Sequence, residues 1–119
     1  MKRQVLTDLR YLILIAGLLT ASQGFAHGVV EGYVIDVRVE RNGKVLLTFD
    51  RDVGHNPPNC SASSRRNMAF NLSTVADSGM LSAALTAQST HKILRARGSG
   101  ACESWGGIEN IFYVVVRDS

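Results

Sequence analysis

The chain has 119 residues, with 13 Lys and Arg against 10 Asp and Glu and two cysteines. Its net charge of +3 is concentrated at the start, where Lys2, Arg3 and Arg10 face only Asp8, so residues 27–119 keep 10 basic and 9 acidic side chains, net +1. That balance leaves no long basic face of the kind a nucleic-acid partner needs, and 93 residues make one small domain that is marginal without a cross-link.

The first 26 residues have the order of a secretory signal peptide. A basic stretch comes first, then the apolar run Tyr11–Leu19, then small residues ending in Gly24-Phe25-Ala26. The apolar run is short for a membrane span of about 20 residues. It is therefore read as a cleaved bacterial leader, with cleavage after Ala26, rather than as a retained anchor. The mature chain, 27–119, is expected in the periplasm or outside the cell, with no membrane contact after cleavage. In that oxidising setting two isolated cysteines pair with each other. A Cys60–Cys102 disulfide closes a loop of about 43 residues and contributes about 4 kcal/mol in the chain-entropy model.

The first strand pair has the clearest pattern. Ile35, Val37 and Val39 alternate with polar residues, and Val45, Leu47 and Phe49 do so after Arg41-Asn42-Gly43. A two-residue Asn42-Gly43 loop would place the two apolar sets on opposite faces. A three-residue loop pairs Glu40 with Lys44, Val39 with Val45, Val37 with Leu47 and Ile35 with Phe49, all on one face. Gly43 then takes the left-handed position of a G1 bulge. Residues 50–66 hold Gly54, Pro57-Pro58 and several serines, and are expected as a loop. A third strand follows, with Met68, Phe70 and Leu72 on one face.

Asp77–Ser89 has helical spacing, with Asp77 or Ser78 as cap and Leu81, Ala84, Leu85 and Gln88 on the packed side. A fourth strand is expected from about His91 to Arg97, and a last one from Ile108 to Arg117. The last is apolar on both faces, which suits a buried layer or a subunit contact. The fold class is thus mainly β with one helix, in the order β-β-β-α-β-β. That is the order of the OB-fold, a five-stranded, partly open barrel. Its third and fifth strands run side by side near closure. Cys60 and Cys102 precede those two strands, so their disulfide would pin that seam.

The mature chain resembles the B subunits of subtilase-cytotoxin type AB5 toxins and the small exported OB-fold proteins related to them. The resemblance rests on His27-Gly-Val-Val-Glu-Gly-Tyr-Val-Ile-Asp-Val-Arg38, on Leu85-Thr-Ala-Gln88 and the strand after His91-Lys92, on Gly100-x-Cys102, and on the final apolar strand. It implies an OB-fold, no catalysis, a ring-forming tendency and glycan binding. In such subunits an acidic residue and a serine ahead of the first strand help hold a sialic-acid sugar. The matching positions here are His27 and Glu31, and a carboxylate at Glu31 would repel an acidic sugar rather than donate to it.

Candidate ligand-binding residues lie on the loop Gly100–Gly107. Trp105, the only tryptophan, can stack on a sugar or base face, with Glu103 and Ser104 as polar contacts; alternatively Trp105 covers an open barrel end. Arg65-Arg66 and Arg95-x-Arg97 are taken as solvated surface. No nucleophile elbow, P-loop or HExxH motif occurs, so no enzyme, catalytic residue or cofactor is expected. No metal site is expected either, with one exception held as an alternative. A mature chain starting at His27 could chelate Cu(II) through its amine and imidazole, with His55 or His91 as a further ligand. This resembles the metal end of copper-dependent polysaccharide oxygenases. The leading expectation is an exported binding module for a glycan or protein partner. The alternatives are a periplasmic copper-binding protein and a structural subunit of a homo-oligomer.

Overall fold

A computed structural model describes residues 26–118; the expected signal peptide lies outside the described residues apart from Ala26. Among the described residues seven strands and one long helix form: β1 (His27–Gly32), β2 (Val34–Val39), β3 (Lys44–Phe49), β4 (Gly54–Asn56), β5 (Asn67–Asn71), α1 (Val75–Thr90), β6 (Ile93–Gly98) and β7 (Ile111–Arg117). They build two antiparallel sheets. One has the order β4-β1-β6-β7, the other β2-β3-β5.

The expected five-stranded barrel is corrected on two points. Residues 27–39 do not form one strand within one sheet, because the chain changes sheets at Tyr33. The Tyr33 N–H donates to Asp50 Oδ1 at 2.9 Å, and the Asp50 N–H returns a bond to the Tyr33 carbonyl at 3.0 Å. Gly32 is needed beside this clasp, since a Cβ there would lie 2.5 Å from Asp50 Oδ1. The expected loop at 50–66 also contains a short strand, β4, paired to β1. The two sheets do not close into a barrel. They meet at a single parallel bridge, Ala69 to Asn110, where the Ala69 N–H donates to the Glu109 carbonyl at 3.0 Å.

The hairpin has the three-residue loop. Val39 faces Val45 and Val37 faces Leu47, Gly43 has φ of +88°, and its N–H donates to the Glu40 carbonyl. The far end departs from expectation. Val34, not Ile35, pairs with Phe49, and the register shifts between Val34 and Asp36. Ile35 becomes the extra residue of a bulge and is 49% exposed. Its carbonyl accepts from Gln88 Nε2 at 2.8 Å, which fastens the helix to the bulge. Val39, at the open tip of the hairpin, is also exposed.

The helix begins two residues earlier than its apolar spacing suggests. Thr74 is the cap: its Oγ1 accepts from the Asp77 N–H, and the Asp77 carboxylate accepts from the backbone N–H groups of Ser73 and Thr74. Asp77 therefore closes a capping box from the third helical position and is not itself the cap. Ala84 and Ala87 are buried against the sheets, Met80 and Leu81 pack beside them, and Leu85 points outward. Between the sheets lie Val30, Val45, Leu47, Phe49, Met68, Phe70, Leu94 and Ala96, which form the core.

Cys60 and Cys102 are bonded, with Cα atoms 6.2 Å apart. Cys60 sits on a short 3-10 turn ahead of β5, and Cys102 on the loop ahead of β7. The disulfide therefore joins the approaches to the two strands that the parallel bridge connects. Among the described residues no helix is long and apolar enough to cross a membrane.

Candidate functional site

The outer face of the four-stranded sheet follows from strand alternation. On β1, His27, Val29 and Glu31 point away from the core, while Gly28, Val30 and Gly32 are buried. On β6, Arg95 and Arg97 point outward between buried Leu94, Ala96 and Gly98. The register sets Val29 beside Arg97 and Glu31 beside Arg95, and carries the row on to Tyr113 and Val115 of β7. Three strands thus converge on one open groove of about 490 Å³, with His55 of β4 closing its end.

His55 reaches that end through an unusual backbone. It pairs with Gly28, yet its φ is +69°, uncommon for a residue with a side chain. Its ring centroid lies 4.9 Å from that of His27, with the planes at 38°. Non-glycine residues in this region persist only where their surroundings hold them, and they concentrate at functional sites.

The electrostatics of the groove turn on Glu31. Its Oε1 accepts from Arg95 Nη1 at 3.1 Å and from Arg117 Nη1 at 3.0 Å. Two guanidinium groups therefore match that one carboxylate. Arg97 has no acidic partner among the described residues. Its Nε is shielded from solvent without a hydrogen-bond partner, and its guanidinium lies 5.8 Å from the ring centre of exposed Phe112. A register shift on β7 opposite Arg97 and Gly98 brings Phe112 and Tyr113 edge to face. The groove thus combines an unmatched cation, two imidazoles and the Tyr113 ring, with Phe112 beside it on the adjoining surface. That arrangement can bind a carboxylate and stack an apolar sugar face.

A buried carboxylate holds the groove's first strand in place. Glu109 is 1% exposed. The Gly28 N–H is shared between its two oxygens at 3.1 and 3.0 Å, and the Gly100 N–H donates to Oε2 at 3.0 Å. Gly28 and Gly98 are required beside it, because a Cβ on either would overlap the carboxylate. His27 is therefore anchored through its neighbour Gly28.

The loop residues singled out in the sequence lie elsewhere. Trp105 is half-buried, with Arg38 Cζ 5.5 Å and Lys44 Nζ 5.9 Å from its ring centre. Both cations belong to the three-stranded sheet, so Trp105 lies against that sheet and not in the groove. Ser104 is buried, and its Oγ accepts from Asn110 Nδ2 at 2.6 Å. Glu103 is exposed, and its N–H and that of Ser104 donate to Asn110 Oδ1. Asn110 thus ties the loop down from within. Glu31 and His27 share the groove, whereas Trp105, Glu103 and Ser104 share the disulfide loop. His91 caps the helix in the left-handed region and stacks on Tyr33 at 4.3 Å, away from the other imidazoles.

The residues missed in the sequence are Arg97, Tyr113, Phe112 and Glu109. The arginines were visible as Arg95-x-Arg97, a spacing that puts both on one strand face. Glu109 was visible as a lone acid leading into an apolar strand. Comparison with known protein families, with curated proteins and with solved structures returned no match.

Proposed function

We propose that this chain is an exported, non-enzymatic binding module that recognises an acidic ligand, a carboxylate-bearing glycan in the first instance, on the outer face of its four-stranded sheet. The observation that carries this reading is Arg97, a guanidinium without an acidic partner among the described residues, beside a Glu31 already matched by Arg95 and Arg117. The expected repulsion of an acidic sugar by Glu31 loses its force once two cations hold that carboxylate. Phe112 and Tyr113 supply flat apolar faces beside the cation. The groove's volume suits a small ligand.

The frame is proposed to be OB-like and related in architecture to toxin B subunits. Support comes from the strand order, from a bent first segment that serves both sheets, and from the parallel bridge between β5 and the approach to β7. The disulfide suits export to an oxidising compartment.

The test is a screen of the mature protein against neutral and acidic glycans, followed by titration of the best acidic hit. Binding that weakens at least tenfold in Arg97→Ala and falls with salt supports the proposal. A screen without acidic hits, or a hit indifferent to Arg97, overturns it. Binding of acidic peptides alone would reassign the ligand to a protein.

A further inference from the structure

We propose that the mature chain carries a Cu(II) site formed by the α-amine and imidazole of His27 and the imidazole of His55. The site goes beyond the groove's proposed acid recognition, which rests on Arg97, and uses the two imidazoles at the groove's end. Three observations lead to it. The two rings lie 4.9 Å apart, centroid to centroid. A metal about 2 Å from an imidazole nitrogen lies about 3.1 Å from the ring centre, so two rings sharing one ion have centres about 4.5 Å apart at right angles and about 6 Å apart when opposed. The observed separation falls between these limits.

The second observation is backbone strain. His55 holds a left-handed conformation at an exposed position of the edge strand β4, and in that conformation its ring meets His27. The third is rigidity at the chain's new start. Gly28 is held by the buried Glu109 carboxylate, so a terminus at His27 is fixed within one residue of a buried clamp. Cleavage after Ala26 frees an amine on the same residue that carries one of the rings. Amine and imidazole of one residue close a chelate ring, and His55 adds a third nitrogen. A set of three neutral nitrogens favours Cu(II) over the other divalent first-row ions. Binding needs only loss of the proton from the amine and from any protonated imidazole; no redox step is involved.

The test uses protein exported with its own leader and purified from the periplasm. Its first residue is read by Edman sequencing, and copper(II) chloride is titrated by calorimetry and followed by electron paramagnetic resonance. The proposal expects His27 as first residue, one equivalent of Cu(II), and nitrogen hyperfine structure. It also expects at least tenfold weaker binding in His55→Asn, which keeps a residue tolerant of the left-handed backbone, and in a chain that retains Ala26. His91→Asn should bind as the parent does. A first residue other than His27, or affinity unchanged by His55→Asn and by the retained Ala26, overturns the proposal.

Discussion

Two acidic residues show how a single side chain organises this molecule. Glu109 is the only charged residue buried to this degree among those described, and its partners are backbone N–H groups of two glycines. Replacing it with alanine leaves the buried Gly28 donor and the partly buried Gly100 donor without acceptors, which costs roughly 3 kcal/mol. Urea unfolding of Glu109→Ala should show that loss, and native-state hydrogen exchange should rise first at Gly28 and Gly100. Asp77 acts at the helix start. Burial there raises its pKa, but hydrogen bonds from Thr74 and Ser73 outweigh that and hold the carboxyl below the ordinary aspartate value of about 3.9. A depressed folded pKa stabilises the protein above the unfolded value, and the contribution disappears as pH falls through the folded one. Asp77→Asn should therefore cost about 1 kcal/mol near neutral pH. Its stability should converge with that of the parent in acid, as thermal melts across the pH range would show.

At the level of elements, alternation settled what local pattern can settle. The hairpin loop, the Val39–Val45 and Val37–Leu47 pairs and the left-handed Gly43 all followed from keeping apolar residues on one face. The same rule failed at Ile35. That end of β2 is set by the Tyr33–Asp50 clasp and by Gln88 reaching the Ile35 carbonyl, and both are contacts between distant parts of the chain. The clasp also explains why one expected strand became two. The hydrogen bond from Arg51, opposed by burial and supported by the Tyr33 N–H, keeps the Asp50 carboxyl below its ordinary pKa, so the bend is fixed by a charged acceptor. The helix cap was displaced for a related reason: Asp77 suits both the cap and the third helical position, and only the reciprocal bond to Thr74 separates the two. β4 was hidden among Pro and Gly because a three-residue strand has no period to detect.

For the whole molecule, two cysteines and an expectation of export were enough to anticipate the disulfide. Cys60 and Cys102 clamp the approaches to β5 and β7, where only one parallel bridge joins the sheets. Replacing both cysteines with serine should lower stability by about 4 kcal/mol, read as a shift of the urea midpoint, with the fold retained in mild conditions.

The groove was less legible. His27 and Glu31 were in view, but Arg95 and Arg97 passed for solvated surface, because their chemistry depends on neighbours contributed by β1 and β7. Trp105 stands out in the sequence as a lone tryptophan on a Gly-rich loop, and its ring lies near Arg38 and Lys44 of the three-stranded sheet. We propose ligand recognition on the four-stranded sheet and a covering role for Trp105. Chemical-shift mapping of the mature protein during titration with an acidic sugar distinguishes these directly. Perturbations gathered at His27, Arg95, Arg97 and Tyr113 are the predicted result. Perturbations gathered instead at Glu103, Ser104 and Trp105 would contradict it.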